Sequence, residues 1–535
     1  MSSNTERRCS SFGHPRTNER GGGGGGMRSA KLHFLLLVVV YCACLAPSLQ
    51  NGVVGKDNVE LSPREQVKEM FLHAYSSYMR NAFPMDELLP LNCSGINSYG
   101  NYSTTLIDAL DALLVFGEHQ EFTNGVRWLA HNLNFHQDVN VSVFETNIRV
   151  VGGLLSAHLL LSEPQFQSLL PNDVTPNTLL DLAVDLADRL LPAFQTPTGI
   201  PYGTVNLMHG VPSGETPVTA VASASTYALE FGILSALTGN PIYEQTARKA
   251  VRAVWERRSS IGLLGNHIDV TGKWVFGDAS IGAAVDSFYE YLLKAAIYFS
   301  DQEYFAIFQE AYKSVLKYLR HGPWYIMSNM SNGSPNWFVF DALQAFWPSL
   351  QVMVGDIHLA SDTAHAMYGI WRHFGCTPEL MDLKEGRLLD HHRSYPLRPE
   401  LVESTYYLYL ATNDTVWRRN AQDVIFSLQT LARVECGFAG ILDVFTLELE
   451  DQMNSFILSE TLKYLYLIFD DTNWVHYDSN RQAITQRYMF NTEGHIFPFR
   501  VDFLRPESLG TIPELAAPLP PFLWRISGGG VVHGR

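Results

Sequence analysis

The chain has 535 residues, of which 46% are hydrophobic and 17% are charged, and its formal net charge is −16. This composition is that of a soluble globular protein that is long enough to bury a very large core. An acidic balance without a basic run argues against nucleic acid and anionic membranes, so we predict no nucleic-acid partner.

The first element in chain order is a targeting segment. Residues 27–50, MRSAKLHFLLLVVVYCACLAPSLQ, place Arg28 and Lys31 before the apolar run from Phe34 to Leu45. That run is too short for a stable membrane span and is followed by small residues, as in a secretory signal peptide. We predict a disordered extension over 1–26, a signal peptide over 27–50 and no transmembrane anchor after cleavage. A signal anchor is the alternative.

Three cysteines follow the predicted signal peptide, at Cys93, Cys376 and Cys436. They form neither a disulfide scaffold nor a zinc or redox motif, and their odd number leaves at least one thiol free or available to another chain. We expect that Cys93 can tether a partner and that Cys436 is a buried core thiol. Six N-glycosylation sequons fit an oxidising compartment. The sequons lie at Asn92, Asn101, Asn140, Asn329, Asn332 and Asn413.

Apolar residues recur at three- and four-residue spacing along most of the remaining chain, and strand-like alternation is rare. The spacing predicts fourteen helices. They are expected at 63–82, 103–117, 121–133, 145–161, 177–193, 222–237, 241–257, 281–299, 302–320, 340–354, 357–374, 400–411, 414–431 and 452–468.

Several odd-numbered helices open with a similar turn. The segments LTGNPIYEQTARKAV (237–251) and ATNDTVWRRNAQDVI (411–425) share a turn, an aromatic residue and a later alanine, and FGEHQEFTNGV (116–126) and FSDQEYFAIF (299–308) have the same turn-to-aromatic spacing. Helical hairpins that repeat in this way cannot bury their faces alone and must stack. Seven hairpins predict an all-α fold, an (α/α)7 barrel.

The even-numbered helices are apolar but carry acidic residues, and the odd-numbered helices carry the charge of a solvated outer ring. If the even helices form an inner ring, these carboxylates line one cavity, and glycoside hydrolysis needs such a set: one acid for the leaving oxygen and one base for water. The alternative is helix capping and buried ion pairs, since Glu145 and Arg149 have ordinary i,i+4 spacing. The residues concerned are Asp108, Asp111, Glu145, Glu230, Asp286, Glu290, Asp341, Glu400, Glu403 and Glu460.

Five segments, in order along the chain, resemble signature segments of class I α-1,2-mannosidases, glycoside hydrolase family 47. They are FETNIRVVGGLLSAH, VDSFYEYLLK, YPLRPELVES, SFILSETLKYLYL and FNTEGH. The resemblance covers a predicted domain at 59–500 and implies a seven-hairpin barrel plugged by a C-terminal β-hairpin. It also implies a calcium-dependent, inverting exo-mannosidase that acts on N-linked high-mannose glycans.

The segment GTVNLMHGVPSGETPVT is similar to the branch of ER degradation-enhancing α-mannosidase-like proteins. That similarity implies residence in the ER lumen and trimming of glycans on misfolded glycoproteins, promoting their degradation, with a disulfide-linked oxidoreductase as a further partner. The chain has no KDEL-like ending, so ER residence is expected to need retention by a partner.

The resemblance assigns roles to matching residues. Glu145 matches the general acid, which acts through a water, Glu400 matches the base that activates the attacking water, and Asp286 matches a third essential carboxylate. Arg149 and Arg398 match arginines that hold the carboxylates and the sugar.

Further matches concern the sugar and the metal. Phe456 matches the apolar floor under the mannose ring, and Thr492 matches the residue whose carbonyl and hydroxyl oxygens bind calcium. Oxygen ligation of this kind suits Ca²⁺. The carboxylates expected around the sugar and the metal are Glu230, Glu403, Glu460 and Glu493.

Two regions depart from the family pattern. Asn454 stands where the family usually has an acidic residue, and the tail at 501–535 is rich in proline and glycine and is predicted to be disordered. The alternative to an active mannosidase is a mannose-binding adaptor that delivers misfolded glycoproteins to degradation. Because a lectin needs no proton donor opposite a base, the presence of Glu145, Asp286 and Glu400 together favours catalysis.

Overall fold

The computed structural model describes residues 61–476, 487–500 and 503. The described residues from Ser62 onward belong to one compact unit. The predicted N-terminal extension, the signal peptide and, apart from Phe503, the tail at 501–535 lie outside the described residues. Within the described part of the chain, no helix combines the length and the apolar character that a membrane crossing requires.

Fourteen helices of seven residues or more form the described chain, in the order that the periodicity predicts. The odd-numbered helices are α1 (Pro63–Asn81), α3 (His119–Asn132), α5 (Thr178–Leu190), α7 (Ile242–Trp255), α9 (Gln302–Tyr318), α11 (Ile357–Phe374) and α13 (Thr415–Ser427). The even-numbered helices are α2 (Thr104–Val115), α4 (143–161), α6 (Ala228–Thr238), α8 (Asp286–Phe299), α10 (Trp347–Met353), α12 (Glu400–Thr412) and α14 (Leu462–Phe469). Shorter turns cover Gln167–Leu169, Leu191–Phe194, Val221–Ser225, Ala342–Phe346, Leu428–Ala432 and Ile457–Thr461.

Burial separates the two sets of helices. Every residue of α2 is buried, and so is every residue of α8 after Asp286, whereas α7 and α9 bury one face only. Each even helix, with the short turn that leads into it, packs against the next even helix, and the turn before α14 packs back against α2. The even helices are apolar on all sides because other helices surround them.

Short strands occupy the connections from each odd helix to the following even helix. In the described part of the chain they pair in eight small antiparallel sheets of two or three strands, and β20 and β21 form a ninth as a hairpin after α14. Each of these connections leads into an even helix, so the short strands lie near the beginnings of the even helices. The strands are β1 (Glu87–Leu89), β2 (Ser94–Ile96), β3 (Asn140–Ser142), β4 (Thr204–Asn206), β5 (Val218–Ala220), β6 (His267–Asp269), β7 (Trp274–Phe276), β8 (Asp278–Ala279), β9 (Arg320–His321), β10 (Trp324–Tyr325), β11 (Met327–Asn329), β12 (Pro335–Trp337), β13 (Val339–Asp341), β14 (Leu380–Asp382), β15 (Arg387–Leu388), β16 (Arg433–Val434), β17 (Gly437–Phe438), β18 (Gly440–Asp443), β19 (Glu448–Glu450), β20 (Tyr488–Phe490) and β21 (Ile496–Pro498).

The opposite connections, from an even helix to the next odd helix, explain the repeated turn in the sequence. Gly117, Gly239, Ser300 and Asn413 have φ angles of 77°, 72°, 55° and 53°, and each stands in one of the four similar segments. A left-handed residue of this kind ends a helix and reverses the chain. The aromatic residue that follows lies in the first turn of the next odd-numbered helix.

The cysteine pairing corrects two sequence-based expectations. Cys93 and Cys436 form a disulfide although they are 343 positions apart, and Cys376 is free and buried. The β1–β2 hairpin and the β16–β17 turn both pack against α1, which brings the two cysteines to a Cα–Cα distance of 5.5 Å. Cys436 is therefore not a core thiol, and Cys93 is not available to tether a partner. The disulfide-linked oxidoreductase stays a prediction.

The predicted glycosylation sites lie at the surface. Asn329, in β11, is half-buried, and the other five asparagines are exposed. This exposure suits the acceptor role, which stays a prediction.

Candidate active site

The three carboxylates expected to be catalytic lie at the beginnings of even helices. Glu145 ends the first turn of α4, Asp286 opens α8 and Glu400 opens α12. All three side chains are partly reached by solvent. The positive end of the helix dipole favours a carboxylate at such positions.

Arg149 links Glu145 to the C-terminal hairpin. Its Nε donates to Glu145 Oε2 at 2.9 Å, and its Nη1 contacts Glu493 and lies 3.4 Å from Asp108 Oδ2. The guanidinium also stands 5.7 Å from the centre of the Phe456 ring. Burial alone lowers the pKa of Arg149, but the surrounding acidic groups, Glu493 first, raise it well above its ordinary value. Arg149 is therefore a fixed cation next to Glu145.

Two helical irregularities shape this side of the site. A π-helical stretch runs from Thr146 to Val151 and a second from Ile457 to Thr461. Glu145 and Phe456 immediately precede these stretches, and Arg149 and Glu460 lie inside them. Such widened turns are rare and often occur at functional sites.

Glu400 has one cationic neighbour. Arg398 Nη1 lies 3.6 Å from Glu400 Oε1, and Arg398 Nη2 donates to Glu379 Oε2 at 2.7 Å. Burial raises the pKa of Glu400 to about 7, although Arg398 acts in the opposite direction. Glu400 can therefore exchange a proton near neutral pH.

Asp286 lies among further acids. Burial raises the pKa of Asp286 to about 7, and Asp341 and Glu290 add to the increase, while the backbone N–H of Ser287 donates to Asp286 Oδ1 at 2.7 Å and acts against it. Burial also raises the pKa of Asp341 to about 6. These neighbours make Asp286 easier to protonate than an ordinary aspartate.

The turn of the β20–β21 hairpin carries Thr492 to the same group of acids. Thr492 Oγ1 donates to Glu290 Oε2 at 2.7 Å, and its side chain is partly exposed. Lys294 contacts Glu290 and lies 3.8 Å from Glu403 Oε1. Thr492 thus stands at the meeting point of the hairpin and α8.

The carboxylates around Thr492 outnumber the nearby cations. Burial raises the pKa of Glu403 to about 8 and that of Glu493 to about 8, and burial with neighbouring acids raises that of Glu460 well above its usual range. No group of three or more His, Cys, Asp and Glu residues within 61–476, 487–500 and 503 is arranged to hold a metal. A cation bound by the oxygens of Thr492 would favour the ionised form of these crowded acids, so the residues present fit such an ion.

Glu230 differs from the other predicted sugar-binding carboxylates. It is 0% exposed, and it accepts hydrogen bonds from Asn147 at 3.1 Å, Tyr291 at 2.7 Å and Asn491 at 2.9 Å. Its oxygens hold the hairpin and have no access to solvent in this structure, and the expected sugar contact of Glu230 stays a prediction. Its pKa is raised by burial.

Sequence reasoning missed several charged residues of the site. Glu87 in β1 accepts from Ser98 Oγ at 2.7 Å, and burial raises its pKa to about 7. Glu379 binds Arg398. Glu87 and Glu379 both lie in connections between helices, where no helical period marks a buried carboxylate. Lys294 and Lys463 lie inside apolar even helices, so a search of these helices for charges of both signs would have found these two lysines.

A partly open site with a fixed arginine and several carboxyl groups of raised pKa is typical of a glycoside hydrolase. A model of glycosyl hydrolase family 47 matches residues 70–499. The chain belongs to this family and is a glycoside hydrolase of the mannosidase type.

Relatives and a solved structure agree with this assignment. The chain is 50% identical over 454 residues to "Alpha-mannosidase I MNS4" of Arabidopsis thaliana, covering 84% of this chain and 72% of the relative. It is 48% identical over 477 residues to human "ER degradation-enhancing alpha-mannosidase-like protein 2", covering 86% and 82%. It also superposes on the α-1,2-mannosidase from Trichoderma reesei with a TM-score of 0.73 at 29% identity, covering 82% of this chain and 99% of that one. The likeness confirms the predicted helix-rich fold class.

Proposed function

We propose that the protein is an inverting, calcium-dependent α-1,2-mannosidase of the ER lumen. It removes a terminal mannose from high-mannose N-glycans of misfolded glycoproteins, converting nine-mannose to eight-mannose chains, and so promotes their degradation. The names of the human and Trichoderma proteins support this substrate class. The proposal includes a closed (α/α)7 barrel whose inner end is plugged by the β20–β21 hairpin.

One observation carries the proposal: two partly exposed carboxylates, each beside an arginine, stand at the beginnings of two even helices of the site. Arg149 donates to Glu145 at 2.9 Å, Arg398 lies 3.6 Å from Glu400, and burial raises the pKa of Glu400 to about 7. In the proposed reaction the oxygen of the attacking water bonds to the anomeric carbon while Glu400 takes a proton from that water. The glycosidic bond breaks, and the leaving oxygen receives a proton from Glu145 through a second water.

The remaining residues bind and orient the sugar. Phe456 supplies an apolar face for the mannose ring, and Asp286 and Arg398 fix the polar groups around it. Calcium, when bound through the oxygens of Thr492, supplies a hard cation for sugar hydroxyls. The chain's own contribution there is the surplus of carboxylates that keeps a cation in place.

The proposal is tested with a purified nine-mannose glycan and mass profiling of the products. We expect the wild-type protein to release one mannose and Glu145→Gln and Glu400→Gln to lose about 100-fold or more of that rate, the scale of a lost general acid or base. Glu256→Gln changes an exposed glutamate at the end of α7 and serves as the control. Unchanged glycan masses with intact binding would instead establish the mannose-binding adaptor.

A further inference from the structure

His495 is a buried residue that the proposed reaction does not use. It follows the turn of the β20–β21 hairpin and is 0% exposed. Its Nε2 lies 3.1 Å from the carbonyl oxygen of Arg149 and 3.4 Å from Asp108 Oδ1, and its Nδ1 lies 3.4 Å from Asp111 Oδ2. Both ring nitrogens thus face acceptors, which suits an imidazolium that donates on both sides.

The charges around the ring favour this protonated form. Burial alone lowers the pKa of His495, but Asp108 and Asp111 raise it to about 9. The same two aspartates also contact other cations: Lys463 Nζ donates to Asp111 Oδ1 at 2.9 Å, and Arg149 Nη1 lies 3.4 Å from Asp108 Oδ2. His495 is therefore charged at neutral pH and joins the two aspartates of α2.

Two glycines of α4 leave room for the ring. A Cβ on Gly152 would stand 3.1 Å from His495 Cδ2, and a Cβ on Gly153 would stand 3.1 Å from His495 Cε1. The neighbouring Asn491 uses the same gap, since its Nδ2 would lie 2.7 Å from the Cβ on Gly152. The hairpin therefore lies directly against the backbone of α4, about two turns after Glu145.

We propose that His495 is a positioning residue that fixes the backbone of Arg149, and through it the Glu145–Arg149 pair, against the hairpin. The Arg149 carbonyl belongs to the π-helical stretch Thr146–Val151, a widened turn that departs from the regular helical ladder, and it also accepts from the backbone N–H of Gly152. A second donor from outside the helix, His495 Nε2, then adds a contact that fixes where this turn lies. The inference rests on the proposed function, because it assigns His495 an effect on the proposed acid.

Two substitutions separate the effect of the hydrogen bond that His495 donates from the effect of its side-chain volume. His495→Gln keeps an amide N–H that can reach the Arg149 carbonyl, whereas His495→Leu keeps similar volume without a donor. We expect kcat of His495→Leu, per folded molecule, to fall about 100-fold with KM within about threefold, and kcat of His495→Gln to stay within about tenfold, since small displacements of a catalytic group have effects of this size. His158→Leu, another buried histidine of α4, should keep the wild-type kcat.

A crystallographic measurement tests the same inference without any turnover. In the structures of wild type and His495→Gln, the Arg149 Nε–Glu145 Oε2 distance should stay near 2.9 Å, and in His495→Leu it should lengthen. An unchanged distance in His495→Leu overturns the inference. If His495→Leu does not fold, His495→Gln still decides the question. The inference is overturned as well if His495→Gln loses as much kcat as Glu145→Gln while its Arg149–Glu145 distance is unchanged. If wild type releases no mannose, the proposed function fails while this distance still decides the role of His495.

Discussion

Arg149 lies one helical turn after Glu145 and donates to its carboxylate at 2.9 Å, while the same guanidinium contacts Glu493 of the C-terminal hairpin. One buried cation thus holds the proposed acid and joins the hairpin to an inner helix. Asp108, 0% exposed, is its third carboxylate neighbour.

Replacing this cation should destabilise the whole fold. Arg149→Met leaves Glu493 buried without its cation and removes one of the cations beside Asp108, so we expect the free energy of unfolding to fall by about 3–5 kcal/mol. Urea unfolding measures the change. In the control Arg252→Met, the lost ion pair with Glu303 lies at the surface, where about 0–1 kcal/mol is expected. Equal losses in the two variants would contradict the central place of Arg149.

The proposed base predicts an acid limb in the pH–rate profile. Glu400 must be ionised to accept a proton, and its pKa is raised to about 7, so kcat/KM should fall about tenfold per pH unit below that value. Arg398 lowers the pKa of Glu400, and therefore Arg398→Gln should move this limb to higher pH. Arg387→Gln, which removes an exposed arginine, should leave the limb in place. A limb that does not move in Arg398→Gln would rule out Glu400 as the titrating group.

The same carboxyl predicts a pH dependence of stability. The pKa of Glu400 is higher in the folded than in the unfolded chain, so folding takes up a proton between the two values and the stabilisation is lost as pH rises from about 4.5 to about 7. Glu400→Gln should therefore show a smaller loss of stability over this range than wild type does. Thermal unfolding at pH 5 and pH 7.5 compares the two proteins, and parallel changes would contradict the assignment.

Calcium should stabilise the protein through Thr492. Removing calcium with a chelator leaves the acids around Thr492 without a counter-charge, so we expect the melting temperature of wild type to fall. Thr492→Ala lacks the hydroxyl ligand and should need about tenfold more calcium for the same melting temperature, whereas Thr492→Ser keeps the hydroxyl and should behave as wild type. A calcium response that is equal in all three proteins would place the cation elsewhere.

The disulfide should contribute to stability through the unfolded chain. Cys93→Ser opens a loop that spans 343 positions, and losses of about 2–5 kcal/mol are typical of such removals. A reductant should lower the melting temperature of wild type but not that of Cys93→Ser. Cys376→Ala, which changes the free buried thiol, should keep the response to reductant.

The helical framework could be predicted from the sequence because its signal is periodic. Even helices such as α2 are apolar all round, and the acids inside them stand out against that background. The same logic places Glu145, Asp286 and Glu400 in three even helices, although the predicted start of α8 at residue 281 lies five positions before the observed start at Asp286. It extends to Lys294 and Lys463, which only a search for both signs of charge would have found.

Other parts of the site have no local signal. Glu87 and Glu379 lie in connections, where no period marks a buried carboxylate, and Cys93 pairs with Cys436 only because two distant hairpins pack on α1. Three cysteines allow three pairings, and spacing does not choose among them. The burial of Glu230 depends on the hairpin that reaches it from the other end of the chain.

Time-resolved proton NMR of a nine-mannose glycan mixed with the calcium-loaded protein tests the proposed reaction most directly. We expect one terminal α-1,2-mannose signal to disappear while free mannose appears first as the β-anomer, because Glu145 and Glu400 act on opposite sides of the glycosidic bond. The Glu400→Gln protein should leave the glycan spectrum unchanged. Initial release of the α-anomer, or no free mannose from wild type, would contradict the proposed inverting mannosidase.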